Sequence, residues 1–512
     1  MGVIAAPGVV VRVIVGVVRV GVLCGGGLRV RAGWLGRAVH AISLSTWFLI
    51  TYNMRIHVET QISVFGASRP PDGGLRGGAE VIQIRDARGG QSGRLPVERG
   101  GSGVEDVLQR AAEIVDAVRT RGRDAVLDYS EQFDGLRPEW LRTPAVALKD
   151  AWSLQSEGFR RAVDDAVDRV ERAHRAQLPV ASATEYGRGA SVRQEYRPVE
   201  RAGLYVPGGK AAYASSVIMN AVPAQVAGVE SIVVACPPDR RTGLPPAPVM
   251  AACYRLGITE VIAVGGAQAI AAMAFGLTGP NGDGVRAVDI ITGPGNAYVA
   301  AAKSLVQQTV GIDSVAGPTE VMIIADDTAD PVFVAADLLS QAEHSEDAAS
   351  VLVTDSASLA TAVAEEVEAQ TRNARNRDRA RRALAGPQSF IAIVDGLDDA
   401  VGFCARYGPE HLEIMTRDAE SIAARVRNAG AIFIGPWSPV SLGDYAAGSN
   451  HVLPTGGSSR HSAALSVMTF LRPTQIIAYE LAGLRAAAPT VVALAAAEGL
   501  WAHGDAVTTR LS

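Results

Sequence analysis

An α/β protein with parallel sheets is the fold class this sequence predicts. Three observations carry the prediction. Short apolar runs of strand length recur from Ala202 onward, helical patterns lie between most of them, and the alternation falls into two blocks, roughly 203–320 and 321–450. Strands alternating with helices imply parallel sheets joined by right-handed crossovers. Two such blocks read as two Rossmann-like domains.

Residues 1–75 do not look like the rest. The stretch 9–19 is rich in Val, Gly and Arg without a clean helical or strand period. Its arginines interrupt any bilayer span, which needs about 20 predominantly apolar residues. The apolar stretch 41–52 is also too short, and no small-residue cleavage site follows a clean apolar core. Much of this region reads as an upstream-start artefact with Met54 as a candidate start, the alternative being a genuine, poorly ordered extension. The Pro/Gly-rich stretch 68–74 reads as a linker.

The segment 80–202 is expected to be mainly helical. Within it, 104–129 and 159–177 have amphipathic spacing with charged faces and should pack together. His174 lies among Arg and Glu there and reads as a solvated residue. Strand candidates then follow at 231–235, 261–264, 288–291, 321–325, 351–354 and 431–434. The domains are therefore placed at 203–320 and 321–473, with an Ala-rich helical tail over 474–512.

Composition narrows the function. The formal net charge of −5 gives no sign of a nucleic-acid partner, and no segment predicts a membrane span. Cys24, Cys236, Cys253 and Cys404 are scattered, so no disulfide framework is expected and a reducing cytoplasm is the simplest location. Cys236 could be imagined as an aldehyde-capturing thiol, but a buried strand end before Pro237 is the plainer reading.

Several residues carry the chemistry. Tyr407-Gly408-Pro409-Glu410-His411 sets a carboxylate beside an imidazole after a turn that proline bars from continuing a helix. Imidazole suits proton transfer near neutrality. Gln341 and His344 are three apart at the end of an amphipathic helical pattern, where they would share a face, and both residue types can ligate zinc. Asp444, in a turn of small residues, and His503, late in the tail, are further ligand candidates. His451 precedes Val-Leu-Pro and reads equally as a cleft residue or a packed one. No Gly-x-Gly-x-x-Gly stands between a strand and a helix. The nearest feature is Ile290-Ile291-Thr292-Gly293-Pro294-Gly295-Asn296, a strand entering a turn, with Asn296 placed to cap the next helix.

Taken in order, these motifs carry a resemblance. They include Gly317-Pro318-Thr319-Glu320, Gln341-Ala342-Glu343-His344, Gly408-Pro409-Glu410-His411, Gly443-Asp444-Tyr445-Ala446, Asn450-His451-Val452-Leu453-Pro454-Thr455 and Glu498 with His503. From about residue 80 to the C-terminus the chain resembles the histidinol dehydrogenase family. The resemblance implies two incomplete Rossmann-like domains, with helical terminal segments that swap between subunits of a homodimer. It implies four-electron oxidation of L-histidinol through L-histidinal to L-histidine, the last step of histidine biosynthesis, with NAD as acceptor.

By the same resemblance, Gln341, His344, Asp444 and His503 of the partner subunit would hold one Zn²⁺ per subunit in a shared active site. Glu410 and His411 would be the acid/base pair. Thr319 and Glu498 would join the ligands and the acid/base pair in touching the substrate. Tyr205, Gln268 and Asn296 would bind NAD. Thr319 departs from the Ser frequent in the family but keeps the hydroxyl. A relative oxidising another polar primary alcohol is the alternative; Glu498 favours histidinol. A metal-binding protein without turnover is the third reading, opposed by the intact Glu410–His411 pair.

Overall fold

The computed structural model describes residues 2–6, 9–14, 17–22 and 81–512, apart from 98, 100–102, 188, 209–211 and 281–282. It divides into two units, Met1–Ala79 and Glu80–Ser512. In the first, β1 (Gly2–Ala6), β2 (Val9–Ile14) and β3 (Val17–Val22) form an antiparallel meander. The described parts of the stretch 9–19, residues 9–14 and 17–19, are thus extended although they lack a clean strand period. Their valines favour extended backbone whatever the alternation. Met54, the stretch 41–52, the linker 68–74, Cys24, His40 and His57 lie outside the described residues.

The second unit opens with β4 (Gln83–Asp86). The helix expected over 104–129 is two helices, Val104–Arg121 and Arg123–Asp134. Gly122 separates them with φ 59° and ψ −131°, backbone that a continuing helix cannot adopt. The helix Glu157–Arg175 matches its expectation closely, with Ser156 accepting from the Phe159 N–H at its start. His174 overturns its reading as a solvated residue. It is fully buried, extends the stripe Val163, Val167 and Val170, and its Nδ1 lies 2.7 Å from the Val170 carbonyl. Burial pushes its pKa down, so the ring is held neutral.

Next come β5 (Ser182–Gly187) and β6 (Ala190–Pro198), then β7 (Arg201–Tyr205), β8 (Ser231–Ala235), β9 (Glu260–Ile262), β10 (Ile290–Thr292) and β11 (Gly311–Ile312). The later strands are β12 (Glu320–Ala325), β13 (Ala349–Thr354), β14 (Phe390–Ile393), β15 (His411–Met415), β16 (Ala431–Ile434) and β17 (Leu471–Tyr479). One sheet runs β11-β10-β7-β8-β9 and another β16-β15-β12-β13-β14-β4, and every pairing in both is parallel. The two blocks repeat one winding, with the first strand of each block at the centre. That is the doubly wound order without its sixth strand.

Both sheets are covered on both faces, which is why their strands read as apolar runs rather than alternating ones. Leu204 and Val234 pack into one core layer while Tyr205, Val233 and Ala235 pack into the opposite one. In the second sheet Val321 and Ile323 face one layer, and Met322 and Ile324 the other.

The tail differs from the expected helix at its start. Residues 471–479 form β17, which pairs antiparallel along the whole of β6. The helices Leu481–Ala497 and Trp501–Thr508 follow and pack on each other. Leu494, Leu500 and Trp501 are left exposed on them. No described helix is long and apolar enough to cross a membrane.

Candidate active site

Two clusters assemble. The first lies at the carboxyl ends of the first sheet, where the strand order reverses and ligands commonly bind in such folds. A cavity of about 850 Å³ opens there, lined by Tyr205, Pro207, Gly208, Pro237, Gln268 and Asn296 among others, with Arg240 and Arg241 on its wall. Tyr205 is the last residue of β7, and its hydroxyl accepts from the Gly266 N–H at 3.1 Å, holding the start of the helix Gly266–Phe275. Gln268, 1% exposed, has no donor for its Oε1 among the described residues. Asn296 Oδ1 accepts from the Val299 N–H at 3.2 Å and caps the helix Ala297–Val306, as its position predicts.

The turn between β10 and that helix is tightly specified. Gly293 has φ 113°, and a Cβ there would lie 2.1 Å from the Tyr205 carbonyl oxygen. Its N–H donates to Asp313 Oδ2 at 2.8 Å, and the buried Lys303, ion-paired to Asp313, donates to its carbonyl at 3.1 Å. Open N–H groups at the helix start and a rigid turn suit a phosphate-bearing ligand. Cys236 nearby is buried and its thiol is pushed up to about 12, so it is a poor nucleophile.

The second cluster lies at the opposite, amino ends of the second sheet. Glu320 starts β12 and His411 starts the adjacent β15. The helix Leu397–Tyr407 ends at Gly408 with φ 57°, and Pro409 prevents its continuation, which delivers Glu410 and His411 to the strand edge. Gly430 leaves room for this backbone, since a Cβ there would lie 2.6 Å from the Glu410 carbonyl oxygen.

The side chains form one chain of contacts. Gln341 Nε2 donates to Thr319 Oγ1 at 2.8 Å, and Thr319 Oγ1 donates to Glu410 Oε2 at 2.6 Å. The Glu320 N–H donates to the same oxygen at 2.9 Å. His411 Nδ1 lies 3.0 Å from the Glu320 carbonyl, which can only accept, so the proton sits on Nδ1 and Nε2 presents a lone pair. Gln341 Oε1 is buried without a donor among the described residues. That orphaned acceptor is what a cation would satisfy.

Burial dominates the electrostatics. It pushes Glu410 up to about 8, against the Thr319 and Glu320 hydrogen bonds and aided by the negative charge of Asp444. It pushes His411 down, against the pull of Asp444 and the Glu320 carbonyl. His344 keeps an exposed edge, yet the protein around it lowers its pKa through desolvation, opposed by Asp444. Among these groups Asp444 is the shared negative charge; it also lies 3.9 Å from His451 Nδ1.

The Glu410 shift has a testable sign. Folded, the group keeps its proton to about pH 8, whereas the unfolded chain releases it near 4.5. Its contribution to stability is therefore full at low pH and is lost as pH rises toward 8. Glu410→Gln cannot ionise, so its thermal midpoint should exceed the parent's by more at about pH 8 than at about pH 5. Unfolding scans at both values check this, and an equal shift at both would contradict it.

His344 corrects one expectation. The helix is Pro331–Ala342, so His344 sits in the turn beyond it instead of on a shared helical face. Its N–H donates to the Gln341 carbonyl at 3.2 Å, which keeps the two residues together without a helix. Asp444 lies on the short helix Val440–Tyr445. Glu498 and His503 are exposed on the tail and make no side-chain hydrogen bond or ion pair among the described residues. The described residues contain no group of three His, Cys, Asp or Glu side chains arranged to hold a metal.

Two contributors escape a reading of the sequence. Glu320 supplies backbone contacts to both Glu410 and His411, and its buried carboxyl pairs with Arg99 from far upstream. Arg99 also donates to the Tyr407 carbonyl and stacks 4.2 Å over the Tyr407 ring. Nothing local marks Arg99. Glu320 was visible only as the neighbour of Thr319.

Residues 97–511 match the family model of histidinol dehydrogenase. Histidinol dehydrogenase of Leifsonia xyli subsp. xyli (strain CTCB07) is 52% identical over 435 residues, which span 84% of this chain and 99% of that protein. The Mycobacterium tuberculosis (strain ATCC 25618 / H37Rv) histidinol dehydrogenase is 52% identical over 418 residues, 81% of this chain and 94% of that protein. The crystal structure of histidinol dehydrogenase from Elizabethkingia anophelis superposes with a TM-score of 0.80 at 32% identity, covering 85% of this chain and 99% of that one.

Proposed function

The chain belongs to the histidinol dehydrogenase family of oxidoreductases, and from that premise we propose that it oxidises L-histidinol by four electrons to L-histidine, using NAD, Zn²⁺ and a site shared between two subunits. The observation that carries the mechanism is the locked tautomer of His411. With Nδ1–H committed to the Glu320 carbonyl, a neutral, buried Nε2 is the base.

The first step removes the alcohol proton to His411 Nε2 as hydride leaves the carbon, giving the aldehyde. Water must then add before a second hydride can depart. Glu410, in its ionised form, takes the proton of that water; with its pKa pushed up to about 8 it is then a stronger base than an ordinary carboxylate, and the ionised fraction grows as pH rises toward 8. Both of its hydrogen bonds fall on Oε2, so Oε1 is the oxygen left to meet the water. As the water adds, the protonated His411 returns its proton to the former carbonyl oxygen, giving the hydrate and a neutral ring. Nε2 then takes a hydrate proton as the second hydride leaves, and the acid so formed loses its remaining proton to give the carboxylate. Thr319 orients Glu410 and ties it to Gln341, which keeps its hydroxyl necessary and its extra methyl tolerable.

NAD, when bound, accepts the hydride in each step, two molecules being needed in turn. Tyr205, Gln268 and Asn296 would hold it; the orphaned Gln268 Oε1 fits an amide or hydroxyl donor. The residues also fit Zn²⁺. Gln341 Oε1, His344 and Asp444 offer two oxygens and an imidazole, and His503 of the partner subunit would complete four ligands. Zinc bound there would template the substrate's imidazole and amine nitrogens. Glu498 would approach the substrate with the same tail.

The dimer reading is supported by the tail itself. Its apolar side chains Leu494, Leu500 and Trp501 are exposed within one chain, beside the unpartnered His503. Mixing His411→Asn with His503→Ala protomers tests it. Each variant alone should be nearly inactive, while mixed dimers rebuild one intact site. Absence of any recovered activity in verified mixed dimers would sink the shared site.

A further inference from the structure

Glu410 and His411 both take their orientation from the peptide groups of one residue. The Glu320 N–H donates to Glu410 Oε2 and the Glu320 carbonyl faces His411 Nδ1. Glu320 is also the first residue of β12. It pairs with Ala349 on the β13 side, but on the β15 side the register begins one residue later, with Val321 opposite His411. Strand ends fray unless something ties them down.

Arg99 makes such a tie. Its Nη1 ion-pairs with Glu320 Oε2, and its Nη2 donates to the carbonyl of Tyr407, the last residue of the helix Leu397–Tyr407. The guanidinium carbon lies 4.2 Å over the centre of the Tyr407 ring. A terminal helix carbonyl lacks an intrahelical partner, and a cation there also complements the helix dipole. Residues 407–411 form the turn that delivers the acid/base pair, so one side chain joins the root of that turn to the peptide it rests on.

The surroundings are shaped for this contact. The Glu320 side chain is 2% exposed and that of Arg99 18%. Glu320 Oε1 meets no donor among the described residues, so the carboxyl depends on its Oε2 pair. Gly457, with φ 79°, forms another wall; a Cβ there would lie 3.2 Å from Arg99 Nη2 and 3.3 Å from the Tyr407 carbonyl oxygen. Burial pushes the Glu320 carboxyl up to about 7, against the pull of Arg99. Removing one partner of a buried ion pair leaves the other uncompensated.

We propose that Arg99 is a positioning residue that clamps the Glu320 peptide against the 407–411 turn, and so fixes the His411 tautomer and the orientation of Glu410. The inference rests on the reading of Glu410 and His411 as the acid/base pair. Among the described residues Arg99 bonds to neither of their side chains, so it acts through Glu320.

The test compares Arg99→Met with the double variant Arg99→Met, Glu320→Gln in the full-length protein. Steady-state kinetics, zinc affinity by competition with a chelating dye, and the thermal midpoint are measured on each. Nitrogen-15 NMR of histidine-labelled protein reads the His411 ring, assigned by the signals lost in His411→Asn. Arg99→Met should lower kcat by about 10²-fold, the cost of a misplacement near 1 Å, with zinc affinity and both KM values close to the parent's. Its His411 ring should show a mixture of tautomers where the parent shows Nδ1–H alone.

A lowered thermal midpoint with parent-like kcat and a single tautomer would overturn the proposal, since Arg99 would then serve stability only. Recovery of kcat in the double variant would overturn it too, because Arg99 would be neutralising a charge and not holding a peptide. If Arg99→Met does not fold, Arg99→Gln, which keeps an N–H for one of the two partners, carries the same readings. Parent-like turnover in His411→Asn would overturn the acid/base reading instead. The clamp is then judged on the His411 ring alone, where a parent-like tautomer in the Arg99 variant would sink it.

Discussion

His411→Asn lowers turnover by about 10²–10⁴-fold, the usual worth of a general base, while zinc and NAD still bind. Asparagine keeps one N–H that can meet the Glu320 carbonyl, so the local backbone has no reason to move. What disappears is the Nε2 lone pair. In the proposed mechanism both oxidation steps need it, so aldehyde should not accumulate in place of acid. Steady-state kinetics with histidinol and with histidinal, beside zinc and NADH titrations, measure the effect. A loss confined to the second step would shift the base of the first step elsewhere. Loss of zinc with the imidazole would mean that His411 is a ligand and not a base.

His344→Ala carries the second large effect. The turn after Ala342 places His344 beside Gln341, and Asp444 is near enough to act on its charge. Removing one of the four residues that would hold zinc should leave a site too poor to retain it at ordinary concentrations. Substrate binding should fall with it, because the imidazole and amine of histidinol would have lost their anchor. The expected result is metal-free protein after dialysis, with turnover near background and the fold intact by circular dichroism. Normal turnover in a metal-free His344→Ala protein would discard the zinc-template mechanism.

The parallel α/β architecture was legible because most strands of the two sheets are apolar runs, and those at 231–235 and 431–434 coincide with β8 and with the half-exposed edge strand β16. β15 was not. His411 and Glu413 interrupt it with titratable side chains that look like loop or surface. They are tolerated because their partners come from distant chain, the Glu320 carbonyl for His411 and the Val440 N–H for Glu413. His174 hid for a similar reason. Its neighbours in sequence are charged, but its spacing from Val163, Val167 and Val170 puts it on the buried face, and that spacing was the signal available.

The site shows the same division. Short-range motifs brought Glu410, His411, Gln341 and His344 forward, and the fold ties Gln341 to Glu410 through Thr319. Arg99 pairs with a residue 221 positions away, a separation at which no local pattern operates. Glu498 and His503 make no side-chain hydrogen bond or ion pair among the described residues, and the exposed apolar surface beside them is the physical reason to seek their partners on a second copy.

The most direct measurement is NADH formed per L-histidinol consumed by the zinc-loaded protein. Two NADH per histidinol, with histidine as the product, is the expected result, because the proposed mechanism uses His411 as the base for both hydride departures. One NADH with free histidinal would contradict the two-step reading of Glu410 and His411. No turnover, with zinc still bound, would contradict histidinol as substrate and point to another polar primary alcohol.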